Sequence, residues 1–214
     1  MARRDTKDVI AIEALRLFAS IGYEGASMRD IAAAVGIQPA SLYKHFSGKQ
    51  ALCDAVVERM NQEYNRFATE LALPAGTISD ASKDYAALPA TTMASLGEAM
   101  FRYWTEDEYA VLFRRMLTME QYRSPEMGRL YRSYFIEGPV DYQATLFAKM
   151  MECGAFVRGN PRVFALEFFA PLVLLMQAAD GCANASERAE VVTLVREHIA
   201  QFVNSHGPES MQHQ

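Results

Sequence analysis

Cysteine is scarce in this chain: Cys53, Cys153 and Cys182 are the three in 214 residues, widely spaced and without a CxxC. An odd, scattered set excludes a disulfide framework and fits a reducing cytoplasm. Long apolar runs are missing too. The longest, "VFALEFFAPLVLLMQAA" from Val163 to Ala179, is interrupted by Glu167, Pro171 and Gln177. It falls short of the roughly 18 unbroken apolar residues of a spanning helix. The opening "MARRDTKDV" has charges but no apolar signal segment. A soluble, cytoplasmic protein with no membrane partner is expected. An excess of positive charge is absent as well: the net charge of −5 gives no bulk attraction to nucleic acid. The deficit is uneven, with +1 up to Arg59 and −6 beyond it. Nor does the sequence contain HExxH, GxSxG, a Walker loop or GxGxxG. His45 has no His, Cys or carboxylate at ligand spacing. We therefore expect no enzyme, no catalytic residues, no metal and no cofactor.

Apolar residues make up 50% of the chain, enough for one core or for a small head joined to a larger body. They recur at helical spacing and no strand run or repeat appears, so the fold class is all-α. Ile10, Ala14, Leu17, Phe18 and Ile21 define a first helix, ended by "GYEG" at 22–25. "SMRD" at 27–30 is a capping box opening a short second helix that ends at Gly36. Pro39, preceded by Gln38 at the cap, opens a third helix that continues to Phe46. From Lys49 a longer fourth helix carries Leu52, Val56, Met60, Tyr64, Phe67 and Leu71. The stretch from Pro74 to Pro89 lacks periodicity and reads as a loop. Further apolar stripes follow, with a break expected at Gly138 and Pro139. A strongly apolar helix spans 162–179, and a last helix bears Val192, Val195, Ile199 and Phe202. His206 and His213 fall in an expected tail.

At 100° per residue, Leu42 and Phe46 of the third helix point to one side within about 40° of each other. Ala40, Ser41 and Lys44 lie opposite, with Tyr43 and His45 on the flanks. The helix thus divides into an apolar anchor and a small, polar, basic face able to approach a surface and bond phosphate. Two short helices joined at Gly36 fit the description of a helix-turn-helix.

From Val9 to Val57 the sequence resembles the DNA-binding region of the TetR family of bacterial transcriptional regulators. The resemblance rests on Ala-x-x-Leu-Phe in the first helix, the Gly-Tyr turn, Ile-Ala in the second, the Gly-Ile turn, the Leu-Tyr-x-His-Phe block and the lysine opening the fourth. It implies that Ser27, Arg29, Tyr43, His45 and Lys49 contact phosphate, while Gln38, Pro39, Ala40, Ser41 and Lys44 face the groove of double-stranded DNA. Gln38 departs from the serine often found at that cap. Glutamine caps poorly, so its amide is expected to turn towards a base, with adenine preferred.

The resemblance further implies a three-helix helix-turn-helix head, residues 1–48, and a helical body, residues 49–214, for effector binding and dimerisation. A small, largely apolar effector would meet Phe67, Met100, Phe101, Trp104, Phe113, Met116, Tyr131, Tyr134, Phe135 and Met150, residues that also suit plain core. Arg102, Arg114, Glu120 and Gln121 are candidate polar handles. The last two helices would form a homodimer interface through Phe164, Phe168, Leu172, Leu175, Val195, Ile199 and Phe202. The implied function is a ligand-responsive repressor released from a pseudo-palindromic operator. A regulator of this fold controlled by a protein partner, and a helical enzyme or carrier with a chance head motif, remain alternatives.

Overall fold

The computed structural model describes residues 6–73 and 78–207, and among them there are eleven helices and no strand. In chain order they are α1 (Thr6–Ile21), α2 (Met28–Val35), α3 (Pro39–His45), α4 (Lys49–Glu70), α5 (Ile78–Ala86), α6 (Ala90–Glu106), α7 (Glu108–Glu120), α8 (Pro125–Phe135), α9 (Glu137–Glu152), α10 (Pro161–Asp180) and α11 (Ala185–His206). Two departures from the sequence reading stand out. Part of the expected loop is α5, which packs on α9 and buries Ala81 and Ser82. Tertiary packing supplies there what periodicity did not announce; positions 74–77 lie outside the described residues. The break near Gly138 comes earlier, at Ile136, so that Pro139 sits in the first turn of α9, where its missing N–H costs no helical bond.

The chain divides into two compact units, and the division does not follow a boundary at 48. The first unit is Met1–Phe67 with Asp107–Tyr131. Its core joins Ile10, Ala14, Leu15 and Phe18 of α1 to Phe113, Met116 and Leu117 of α7, all completely buried. A boundary at 48 misses this because the apolar face of α1 is covered by a helix about a hundred residues further on. Burial of such side chains contributes about 1.5–3 kcal/mol each, so α7 is as much a part of this unit as α2 or α3.

The second unit is Ala68–Glu106 with Arg132–Gln214. Here α11 lies along α6, where Gly97 lets Ile199 approach closely. Next to it α10 packs on α9. Phe147, Phe156, Phe168 and Phe202 meet in a ring cluster with centroids 5.1–5.9 Å apart. Asn160 and Asn184 cap α10 and α11 through their side-chain oxygens. His206 is not in a tail: it belongs to the last turn of α11, buried and stacked on Phe202. His213 lies outside the described residues.

Candidate nucleic-acid interface

The α2–α3 pair is built from local signals. Ser27 Oγ accepts from the Asp30 amide at 3.2 Å, and the Ser27 amide donates to Asp30 Oδ2 at 2.9 Å. The Ser27 hydroxyl also donates to that carboxylate at 2.6 Å, which holds the Asp30 carboxyl below its ordinary range. The folded-state value is lowered, so this part of the cap is present above the ordinary carboxylate range and is lost as pH falls through the folded value. With its hydroxyl engaged on Asp30, Ser27 serves the helix first. Ser27→Ala is expected to cost about 1 kcal/mol of unfolding free energy at pH 7, read from urea denaturation.

At the other end of α2, Gly36 takes φ +75°, and Ile37 N–H reaches back to Ala32 C=O at 2.9 Å. No atom crowds the missing Cβ, so the glycine is there for its left-handed backbone. Pro39 stands in the first turn of α3 and Gln38 at its cap, with no side-chain capping bond. Leu42 is fully buried and Phe46 nearly so, as the anchor of the helix. Opposite them Gln38, Ala40, Tyr43 and Lys44 are exposed, with Ser41, His45 and Pro39 half-buried. Tyr43 shows 54% of its surface, which rules out a core role for it in this unit. Arg29 is exposed on α2.

Lys49 is placed differently from the rest of the expected phosphate set. Its Nζ donates to the Tyr23 carbonyl at 2.7 Å and lies 4.4 Å over the Tyr23 ring. The side chain is folded onto the α1–α2 turn. That turn is further tied to α7: the Tyr23 amide donates to Glu120 Oε1 at 3.2 Å, with Arg123 3.0 Å from the same oxygen. Glu120, expected as a polar handle of the body, therefore belongs to the first unit. Its sequence signal is a carboxylate on a buried stripe, seven residues after Phe113 and four after Met116.

The ten expected effector residues divide between the units. Phe67, Phe113, Met116 and Tyr131 belong to the first, where Phe113 and Met116 are fully buried core. The other six belong to the second, in which Trp104 meets Phe135 edge-on at 5.1 Å and Tyr134 lies 6.2 Å from Phe135. Phe101 and Met150 are buried, and Met100 and Tyr134 are half-buried.

The expected dimer residues divide as well. Val195, Ile199, Phe202 and Leu172 are buried within the second unit itself, and Phe164, Phe168 and Leu175 are half-buried. The large apolar residues left exposed on the same two helices are Val163, Leu166, Leu174 and Leu194. Although α10 is long and apolar enough to cross a membrane, only 22% of its apolar window is buried in the chain. The described residues contain no cluster of His, Cys and carboxylates fit to hold a metal ion.

Residues 12–56 match the family model of the bacterial regulatory proteins, tetR family. Over 52 residues the chain is 42% identical to IcaR of Staphylococcus aureus, the negative transcriptional regulator of the biofilm operon icaADBC, and over 54 residues 39% identical to the class C tetracycline repressor of Escherichia coli. These alignments span 24–25% of this chain and 25–28% of those proteins, about a quarter of their length. Among solved structures, SmeT, the repressor of the Stenotrophomonas maltophilia multidrug efflux pump SmeDEF, is 19% identical with a TM-score of 0.65 over 97% of this chain and 93% of that one. A protein of Mesorhizobium loti assigned to the TetR-family transcriptional regulators is 24% identical, with a TM-score of 0.66 over 94% of this chain and 96% of that one. At such identities the likeness is one of fold, and it extends along nearly the whole chain. The match over residues 12–56 and the helix-turn-helix built there make this segment similar to the DNA-binding region of the tetR family of bacterial regulatory proteins, on a fold shared with solved structures along nearly the whole chain.

Proposed function

We propose that the chain is a dimeric, cytoplasmic DNA-binding transcriptional regulator, a repressor released from a pseudo-palindromic operator by a small, largely apolar effector. The observation that carries this reading is α3 itself. Leu42 and Phe46 are spent on the core, leaving an uncapped Gln38, the small Ala40 and Ser41, and an exposed Tyr43 and Lys44 on the free side. Small residues admit the backbone to a major groove, and Gln38 and Lys44 bring base-reading groups. Tyr43, His45 and Arg29 supply donors to phosphate on either flank. Because Lys49 is folded onto Tyr23, its contribution to phosphate comes through the α4 N-terminus it opens rather than through its ammonium.

The negative regulators among the relatives favour repression as the sign. The packed rings of Trp104, Phe135 and Tyr134, with the first two buried, are of the kind that would line a site for an apolar effector. A coupling of about 1–3 kcal/mol between effector and operator would change DNA affinity about 5- to 150-fold.

Selection from a random pool of duplex DNA tests the reading. The chain should enrich a pseudo-palindrome whose half-sites are separated by about one helical turn. Against that duplex Lys44→Ala is expected to lose about 5- to 150-fold in affinity and to relax the base preference at one position of each half-site. Tyr43→Ala should weaken binding evenly across sequences. Gln38→Ala should abolish a preference for adenine. A pool in which no sequence is enriched, with all three variants binding like the parent, would remove the proposal.

A further inference from the structure

Tyr23 is gripped from three sides. Its amide, left without a helical partner beyond the end of α1, donates to Glu120 Oε1 of α7. Its carbonyl accepts from Lys49 of α4, and its hydroxyl donates to Gln50 Oε1 at 3.2 Å. Its ring lies 5.1 Å from Phe18 of α1. Burial pushes the Tyr23 phenol up to about 12, so it remains a donor across the physiological range. Gln50 in turn donates to Glu126 in the first turn of α8 at 3.2 Å.

The carboxylate reaches this turn because residue 22 is glycine. A Cβ there would stand 2.7 Å from Glu120 Oε1 and 2.8 Å from an Arg123 guanidinium nitrogen, and the backbone takes φ +84°. Glu120 is 1% exposed, so its charge needs partners: Arg123 and the Tyr23 amide fill that role on one oxygen. The segment so held, Gly22 to Ala26, runs directly into Ser27, the cap of the helix that carries α3. It also seats Lys49 at the start of α4.

We propose that Glu120 is a positioning residue for DNA binding: its carboxylate, supplied by α7, fixes the α1–α2 turn at Tyr23 and thereby sets the start of α2 and of α4 against the phosphate backbone. The proposal rests on the DNA-binding reading above. In it, the DNA face of the head is held from outside the segment that matches the family model.

The test uses the full chain and the duplex that the parent protein selects from the random pool, at temperatures where circular dichroism shows every variant folded. Glu120→Ala is expected to bind that duplex about tenfold more weakly. Its plot of log affinity against log salt should be shallower by about one for each head, the signature of a lost phosphate contact. Amide exchange should rise first at residues 23–26, and the selected sequence should not change. Glu120→Gln, which keeps an oxygen acceptor in place, should recover most of the affinity and the slope. Parental affinity and slope in Glu120→Ala would overturn the proposal. So would an equal loss in both variants at unchanged slope, which is how a general destabilisation behaves. A parent protein that selects no duplex brings down the DNA-binding reading and this proposal together, whereas a binding parent with an indifferent Glu120→Ala brings down this one alone.

Discussion

Leu174→Glu is expected to turn the proposed dimer into a folded monomer and to reduce operator affinity by about 10³-fold or more. On α10, Val163, Leu166, Ala170 and Leu174 fall within an arc of about 80°. That arc lies opposite the buried Ala165, Leu172 and Met176. Leu174 is 67% exposed, Val163 53% and Leu166 47%, and Leu194 of α11 adds another 51%. One helix thus has two apolar faces, one spent on its own unit and one still open to water. A second copy meeting it across a two-fold axis is the cover that the proposed function requires, and in such an interface each substitution counts twice. Burying two unpaired carboxylates there costs several kcal/mol, which offsets much of the driving force of a standard interface. Within the chain the same change touches little, because the side chain is exposed, so helicity should stay near the parent's, while melting falls only by the stabilisation that dimerisation supplied.

The loss of DNA affinity follows from the loss of the second head. A single head keeps one half-site, and specific complexes are typically about 10³–10⁷ tighter than non-specific ones. Sedimentation equilibrium at micromolar concentration, paired with titration of the selected duplex, checks both parts. A Leu174→Glu protein that stays dimeric would move the interface away from this face.

The last two helices show where the sequence was legible and where it was not. Val195, Ile199 and Phe202 lie at the spacing of a buried stripe, and periodicity correctly announces that α11 packs. It does not say against what: the same stripe would serve a partner chain or α6, and here it serves α6. Leu174 and Leu194 are told apart from core only by knowing which neighbours are already in place. Local signals fared better. The Ser27–Asp30 box, the Gly36 turn, the Pro39 start and the Leu42–Phe46 anchor each involve atoms a few residues apart, and the structure has all of them. The bond between Glu120 and Tyr23 spans 97 positions and leaves no pattern at either end beyond a carboxylate on a buried stripe. The helix α5 is hidden for a related reason, since its burial comes from α9 and not from its own period.

Phe113→Ala is expected to destabilise the first unit by about 3–5 kcal/mol, the usual cost of emptying a fully buried phenylalanine site. A domain of this kind has about 5–15 kcal/mol in all, so from roughly a fifth to the whole of the unit's stability is at stake. The residue stands far outside the segment that matches the family model, but it shares a core with Ile10, Ala14, Leu15 and Phe18 of α1. Removing its ring leaves α1 with a cavity on the face it turns to α7. Because α1 also packs on α2, the loss passes to the helix-turn-helix. Native-state hydrogen exchange should show protection falling together along α1, α2 and α4, and the selected duplex should be lost on warming well before the parent releases it. Deletion makes the same point more strongly: residues 1–70 alone keep α1 to α4 without Phe113, Met116, Leu117 and Glu120. Such a fragment should show little helix and no cooperative melting. A fragment that folded by itself and bound the duplex like the full chain would place the boundary of the head no later than the end of α4, and would make α7 dispensable to it.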